Sequence, residues 1–489
     1  MKRISQLFIL LLIIFQISCS KKAGEPTTDP TVDQKASLVI LYTNDEHGWM
    51  EADNTFGGAA GMFELWKTRE GYNSADSFLV VSGGDMWTGP AISTWFQGES
   101  MIEVMNKMEY DVATIGNHEF DFTIEGLLKN KQLLEFHLIA ANIRTKSTGE
   151  IPSFALPYVI ENADGVKVAF IGLASRSTPY TTFPAFVADY EFTAYEDALN
   201  EYVPAAKLQG AEVIIVVGHI GEDEMTQLAP LAKSLGVILI TGGHTHQKVS
   251  KSLDGVTLIQ SGSGLKNYCK VVIEYDKSRK ISKVLSNEIV NNPSVVRSVN
   301  EVQTIVDKWQ LKTEEDLAMV IGYCSQKIYK SSPEMMNMVA DSWLYAYPKA
   351  DISMTNSGGI RQDIMPGDIK LETIVGLLPF TNTLIELELT GTQVIDCIGN
   401  LVIGGMTTVG GYRLADGSPI EANTIYSVLT TDYLYSLPYN NGPSKFAQYD
   451  SDPYNTSILY MQPTVDWIIS KNSNAQNPIN NYLDPIPRR

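Results

Sequence analysis

The stretch Thr114-Ile-Gly-Asn-His-Glu-Phe-Asp121 decides the reading of this chain. The apolar run Val112–Ile115 stops at Gly116, and the next five positions carry Asn117, His118 and Asp121. A buried strand that ends at a glycine and releases an amide, an imidazole and a carboxylate into a loop is how α/β folds place chemistry at strand ends. Asn and Asp also favour plain turns, so the stretch has to be weighed against the rest of the chain.

Four further blocks repeat the pattern after strand-like runs: Asn44-Asp45-Glu46-His47-Gly48, Gly83-Gly84-Asp85, Gly218-His219 and Gly242-Gly243-His244-Thr245-His246. The chain has six histidines, and only His137 lies outside these blocks and the first stretch. A single histidine at a strand end is more often a satisfied hydrogen-bonding residue than a ligand. Histidines used only for packing would not collect beside glycines in this way. Asp45 and His47, at i and i+2, are expected to project from one face of an extended strand end, as are His244 and His246. Asp85 is placed to bridge two ions, Asn117 offers a neutral oxygen and His219 a nitrogen. About seven ligands are too many for one tetrahedral zinc and suit two divalent ions sharing Asp85. Imidazole and carboxylate without thiolate are compatible with Zn, Mn, Fe or Co.

Between the blocks, short Val- and Ile-rich runs recur at 38–42, 78–82, 112–115, 138–141, 166–171, 213–217 and 237–240, separated by stretches long enough for helices. Near-continuous apolar strands imply burial on both faces and hence a layered α/β domain. After Pro293, Val295, Val296, Val299, Val302, Ile305, Val306 and Trp309 recur at helical spacing, which predicts one long amphipathic helix starting at Pro293. A second α/β unit follows, in which Leu384–Leu389 alternates as a half-buried strand and Thr390-Gly391 turns into the next helix.

With 489 residues, 44% apolar and 19% charged, the chain is long enough for two or three globular domains. A net charge of −19 argues against a nucleic acid polymer as partner. It leaves room for a phosphorylated small molecule, because bound cations reverse the local sign. Residues 1–18 have the layout of a secretory signal: Lys2 and Arg3, then an apolar run too short to span a bilayer. Ser18-Cys19 resembles the lipobox of bacterial lipoproteins, with Gln16 at a position usually aliphatic. That resemblance implies lipidation at Cys19, a membrane anchor, and a flexible tether over 19–36. Cys269, Cys324 and Cys397 show neither metal-ligand spacing nor a disulfide framework and read as buried thiols.

The order Asp-x-His, Gly-Asp, Gly-Asn-His-Glu, Gly-His, Gly-His-x-His resembles the calcineurin-like metallophosphoesterases. Asn117-His118-Glu119-Phe120-Asp121 narrows this to the secreted 5′-nucleotidase and 2′,3′-cyclic phosphodiesterase branch. Asn356-Ser-Gly-Gly-Ile-Arg361 and Pro379-Phe-Thr-Asn-Thr-Leu384 resemble that branch's substrate motifs. The resemblance implies a metallophosphoesterase β-sandwich flanked by helices (αββα) over 37–292, a linker helix over 293–316 and a smaller α/β substrate domain over 317–489. It implies one ion on Asp45, His47, Asp85 and His246, a second on Asp85, Asn117, His219 and His244, and attack on phosphorus by water activated there. His118, charged and oriented by Asp121, is the implied acid or transition-state stabiliser. Asn356, Arg361, Phe380 and Asn382 are the implied substrate contacts, with Phe380 one side of a clamp on a base.

The expected function is therefore an exported, lipid-anchored hydrolase that releases phosphate from nucleotides. Two alternatives stay open: a same-scaffold hydrolase of another ester (a cyclic nucleotide, a nucleotide-sugar pyrophosphate or a sulfur ester), and a non-catalytic binding lipoprotein. Relatives follow Thr-x-Asp-Phe-Leu with a Gly-Gly-Asp-Gly-Tyr loop that supplies the second base-stacking aromatic. This chain has Thr430-Thr-Asp-Tyr-Leu434 and then Tyr435-Ser-Leu-Pro-Tyr-Asn440, leaving Tyr435 or Tyr439 as substitutes.

Overall fold

The first strand, Lys35–Thr43, shows why the apolar runs are continuous. Leu38, Ile40 and Tyr42 point to one side and Leu41 to the other, and all four are buried. The computed structural model describes residues 35–73, 77–294, 299–440 and 442–489. The stretches read as a signal and a tether, with Cys19, lie outside the described residues up to residue 34, as do Val295 and Val296. Among the described residues no helix is long and apolar enough to cross a membrane. The residues from Lys35 to Arg489 form one compact unit.

Two six-stranded sheets make the N-terminal half. In the first, Lys35–Thr43, Phe78–Ser82, Val112–Thr114 and His137–Ile139 run parallel in that order, and Asn267–Asp276 and Ile281–Asn291 add antiparallel at one edge. In the second, Tyr158–Ala163, Val166–Leu173, Val213–Gly218, Leu239–Thr241, Val256–Ser261 and Lys248–Leu253 lie side by side; the inner four are parallel and the two edge strands antiparallel. The sheets meet through one buried cluster that includes Leu38, Ile40, Leu79 and Val81 from one and Val168, Phe170, Ile215 and Val217 from the other. Their outer faces are covered separately. Helices Gly58–Thr68 and Glu99–Lys107 pack on the first, Tyr195–Leu208 and Glu222–Ser234 on the second. This is the αββα sandwich expected from the resemblance. Parallel strands return through helices, so their C-terminal ends collect along one rim.

The helix expected from Pro293 begins at Glu301 and runs to Leu317. Pro293 is engaged in a bridge with Phe56, and Val299 is fully exposed. The Asn300 side chain accepts hydrogen bonds from the Val302 and Gln303 amides, which fixes the start. Val302, Val306 and Trp309 bury against the first domain. Trp309 packs on Phe96 at 4.8 Å between ring centroids and donates to Glu103 Oε2 at 2.8 Å.

The C-terminal half holds a five-stranded mixed sheet in the order Val402–Gly404, Ile352–Thr355, Ile425–Thr431, Thr383–Thr390, Tyr454–Leu459. As its alternation requires, Ile385, Leu387 and Leu389 are buried on one face while Glu386 accepts from Tyr347 and Ser427 on the other. Cys269, Cys324 and Cys397 are buried free thiols.

Removing the Trp309 ring should cost about 3–5 kcal/mol. Urea unfolding of Trp309→Ala is expected to show that loss, with Trp309→Phe losing markedly less. Equal midpoints for wild type and Trp309→Ala would mean that the helix is not anchored here.

Candidate metal centre and substrate cavity

Five strand ends on the shared rim deliver the residues singled out by the sequence. Thr43 leads to Asp45 and His47, Ser82 to Asp85, Thr114 to Asn117 and His118, Gly218 to His219, and Thr241 to His244 and His246. The i, i+2 pairs converge for a different reason from the one expected. Asp45, His47, His244 and His246 are not extended but have φ of 51°, 49°, 70° and 56°, and Asp85 joins them at 59°. Left-handed backbone at non-glycine residues is costly and collects where the surroundings enforce a functional geometry. Here tight turns, not strand pleat, aim the side chains.

The side chains form overlapping groups whose ligand atoms lie within 4.8 Å of one another: Asp45, His47 and His246; Asp85, His219 and His244; and His47, Asp85 and His118. His47 Nε2 is 3.1 Å from His246 Nε2 and 3.9 Å from Asp85 Oδ2; His246 Nε2 is 3.4 Å from Asp45 Oδ1; His219 Nε2 is 3.0 Å from Asp85 Oδ2. Asp85 thus touches both ends of the cluster. It is held there by its other oxygen, which accepts from the His118 amide at 2.8 Å.

The donor chemistry fits divalent cations. His219 Nδ1 donates to the Gly83 carbonyl at 2.8 Å and His47 Nδ1 to the Thr88 carbonyl at 2.9 Å, so in the neutral rings both Nε2 atoms carry lone pairs into the cluster. One faces a carboxylate oxygen and the other a second imidazole nitrogen at hydrogen-bond distance. A lone pair against the carboxylate oxygen requires a proton or a cation between them, and the two imidazole nitrogens can share either. Asn117 Oδ1 is, moreover, buried without a hydrogen-bond partner.

The ionisation pattern carries the same demand. Burial pushes His219 down, but the adjacent Asp85 carboxylate outweighs it and lifts the imidazole to about 10. Burial pushes Asp85 up, but His219 and His118 hold it well below the usual carboxylate range. The pocket therefore requires positive charge beside Asp85.

Asn44 donates to Asp45 Oδ2 at 2.6 Å and is itself held by Ser261. The buried Glu119 carboxylate accepts from the amides of Gly116, Asp85 and Met86 at 2.7, 2.9 and 2.7 Å, tying two ligand loops together. Its role was hidden in the sequence because it follows His118 as a plain acid. At Gly116 a Cβ would lie 2.2 Å from Asp85 Oδ1, so glycine is required by close approach.

His118 Nδ1 is 2.7 Å from Asp121 Oδ2, whose other oxygen accepts from Thr182 at 3.1 Å. Burial lowers the His118 pKa, but Asp121 and Asp85 outweigh it and the net shift is upward. The ring stacks on Phe380 of the C-terminal half, centroids 5.9 Å apart. A cavity of about 470 Å³ opens there, and Asn356, Arg361, Phe380 and Asn382 all line it together with Asp85, Asn117, His118, Asp121, His244 and His246. Arg361 lies 5.8 Å from the Phe380 ring.

Neither Tyr435 nor Tyr439 is part of this wall. Tyr435 packs in the C-terminal core and donates to the Asp450 carbonyl, and Tyr439 is exposed near Lys445. The aromatic residues that do line the cavity beside Phe380 are Tyr433, Phe183 and Phe186. Tyr433 donates to the Tyr180 carbonyl at 3.0 Å, across the two halves. Phe183 and Phe186 lie in a motif-free segment, and the only available signal was their i, i+3 spacing around Pro184.

Residues 38–248 match the family model described as calcineurin-like phosphoesterase, and residues 318–437 that described as 5'-nucleotidase, C-terminal domain. The chain is similar to the endonuclease YhcR of Bacillus subtilis, 28% identical over 480 residues, covering 86% of this chain and 39% of that protein. It is 26% identical over 447 residues to a 5'-nucleotidase of Vibrio cholerae, covering 80% of each. This chain thus spans well under half the length of the Bacillus relative. The crystal structure of a 5'-nucleotidase precursor from Thermus thermophilus superposes with a TM-score of 0.75 at 18% identity, covering 92% of this chain and 98% of that one, a likeness of fold.

Displacing Asp85 should loosen any bound ion without unfolding the sandwich. Gly116→Ala is expected to lower metal affinity by roughly 10–100-fold, the usual effect of disturbing a ligand's support. Metal content after dialysis, with circular dichroism as the fold control, checks this; wild-type metal retention would contradict it.

Proposed function

The chain belongs to the calcineurin-like phosphoesterases that carry a 5'-nucleotidase C-terminal domain, a family of metal-dependent hydrolases, and on that premise we propose that it is an exported, lipid-anchored two-metal phosphohydrolase releasing phosphate from nucleotides. The observation that carries this reading is the double cluster sharing Asp85, with His118 at its mouth and Phe380 stacked on His118. Asp45, His47, Asp85 and His246 would hold one divalent ion, and Asp85, Asn117, His219 and His244 the other. Once bound, such ions activate water and neutralise charge on phosphoryl oxygens.

The remaining steps belong to the chain itself. Asn117 and Arg361 orient the phosphoryl group, the guanidinium offering a planar fork to two of its oxygens. His118, kept charged by Asp121, donates its Nε2 proton to the departing alkoxide. Phe380, Tyr433, Phe183 and Phe186 enclose an apolar moiety beyond that oxygen, which fits a base or another flat ring. Anchoring at Cys19 and export through residues 1–18 complete the proposal.

A second reading, hydrolysis of another ester on the same scaffold, is favoured by one feature. Phe183 and Phe186 of the first domain line the cavity with Phe380, while the glycine-rich loop that relatives carry does not follow Leu434. Phosphate release by residues 37–489 with Mn²⁺, Co²⁺ or Zn²⁺ separates the readings, using AMP, a 2′,3′-cyclic nucleotide, a nucleotide sugar and p-nitrophenyl phosphate, with phosphatase added where the product is a monoester. Preference for AMP supports the nucleotidase. Preference for another ester moves the assignment to it. Metal binding with no turnover of any ester would leave a binding lipoprotein.

Two variants test the roles. His118→Ala is expected to lower kcat roughly 10²–10⁴-fold, and activity within a few-fold of wild type would remove His118 from the mechanism. Phe183→Ala is expected to raise KM for AMP by about tenfold, in line with ~1–3 kcal/mol per stacked base. An equal rise for p-nitrophenyl phosphate would show that Phe183 does not read the base.

A further inference from the structure

The Asp121 carboxylate has two oxygens, and His118 engages only one of them. Oδ2 is 2.7 Å from His118 Nδ1, while Oδ1 accepts from the Thr182 hydroxyl at 3.1 Å. Two tyrosines stand close enough to feel the Asp121 charge, yet their hydroxyls are committed elsewhere. Tyr433 donates to the Tyr180 carbonyl at 3.0 Å and Tyr460 to the Gly359 carbonyl at 3.4 Å. Among the described residues, Thr182 is thus the one side chain besides His118 that hydrogen-bonds the Asp121 carboxylate.

Thr182 is itself firmly held. It is 2% exposed, and its amide donates to the Thr178 carbonyl at 3.1 Å, closing the short helix Thr178–Thr181. The same segment meets the site at two further points. The Thr181 carbonyl accepts from Asn117 Nδ2 at 3.1 Å, and the Ser177 hydroxyl lies 3.1 Å from His244 Nε2. A hydroxyl on a segment pinned in this way can fix the rotation of the carboxylate it meets. That rotation needs fixing, because the terminal torsion of an aspartate is broad. His118 needs the same constraint at one remove. Stacking on Phe380, with the rings 18° from parallel, restrains the plane of the imidazole. It does not choose between the two flips of the ring, in which nitrogen and carbon positions exchange. The bond from Nδ1 to Asp121 makes that choice.

We propose that Thr182 is a positioning residue for the hydrolysis: its hydroxyl fixes the plane of the Asp121 carboxylate and thereby selects the His118 flip that points Nε2 at the leaving oxygen. The inference rests on the phosphohydrolase reading above. Without the hydroxyl, Oδ1 is a buried acceptor with no donor, the carboxylate turns to find one, and the ring bonded to Oδ2 loses its preferred flip. The damage falls on proton delivery to the leaving oxygen and not on attack at phosphorus. A leaving group that departs as a stable anion has little need of that proton, whereas a basic alkoxide depends on it.

The test uses the full chain loaded with metal at fixed free metal concentration. Thr182→Val removes the hydroxyl at nearly constant shape, and Thr182→Ser keeps it. The substrates are p-nitrophenyl phosphate, phenyl phosphate and AMP, whose leaving oxygens are increasingly basic. Thr182→Val is expected to lower kcat for phenyl phosphate and AMP roughly 10–100-fold, the usual effect of losing a hydrogen bond to a charged group. For p-nitrophenyl phosphate the loss should shrink to a few-fold, KM should change little, and Thr182→Ser should recover most of the rate. Unchanged kcat, an equal loss on all three esters, a change confined to KM, or a Ser variant as slow as the Val variant would each overturn the proposal. If wild type turned over no phosphoester, the hydrolase reading would fall by itself. Positioning would then be read from the His118 Nδ1–H signal of the zinc-loaded, nitrogen-labelled chain by NMR, assigned by its absence in His118→Ala. A signal that shifts or broadens in Thr182→Val and is kept in Thr182→Ser supports the contact, and the same signal in all three proteins overturns it.

Discussion

The buried carboxylate of Asp85 is the constraint on which the rest of the site depends. An ionised carboxylate taken out of water costs several kcal/mol unless charge and hydrogen bonds compensate it. One oxygen is satisfied by the His118 amide, while the other faces His219 and, farther off, His47. A neutral imidazole that donates from Nδ1 offers Asp85 only a lone pair, so the pair needs positive charge, as a second proton on the ring or as a bound cation. Positive charge between them resolves the conflict, and the same charge serves phosphoryl transfer. The backbone around Asp85 follows from this arrangement. Gly116 is bare because Asp85 Oδ1 occupies the space of its Cβ, and Glu119 ties the loop of Asp85 to that of His118.

Such a site needs rigid supports, and the sandwich supplies them. Each ligand turn hangs from a strand buried on both faces, so left-handed strain at Asp45, His47, Asp85, His244 and His246 is absorbed by a scaffold that cannot relax cheaply. Convergence at one rim is a topological result. Parallel strands joined by helices all end on the same side, and two facing sheets bring their ends within reach of one another.

This explains what the sequence made legible. Metal ligation needs particular side chains after strands, and that requirement leaves a signature in residue type and spacing. The blocks around His47, Asp85, His118, His219 and His244 could thus be read, and a layered α/β domain followed from apolar runs without polar alternation, whereas the αββα sandwich came only with the family resemblance. Backbone conformation leaves a weaker trace. An i, i+2 pair such as Asp45 and His47 looks the same in sequence whether it sits on an extended end or in a left-handed turn. Periodicity likewise carried the helix back to Pro293, although the Asn300 cap sets its start at Glu301. Cavity walls are harder still. Phe183, Phe186 and Tyr433 meet Phe380 only because an irregular segment of one domain faces the other, and nothing local marks them.

The two halves contribute different kinds of charge, and this division accounts for how an acidic chain can receive a dianion. The first domain supplies carboxylates and imidazoles, which attract cations. The second supplies Arg361 and Lys330, which attract anions, and Lys266 of the first domain lines the same cavity as these two. Neither half alone has the field that phosphoester hydrolysis needs, because the ligand cluster without ions repels phosphate and the cationic wall has no means of attacking it. The halves therefore have to meet at the cavity, and Phe380 against His118 and Tyr433 against the Tyr180 carbonyl are among the contacts by which they do so. Changes in the second domain can then redirect the substrate while the ligand cluster stays intact.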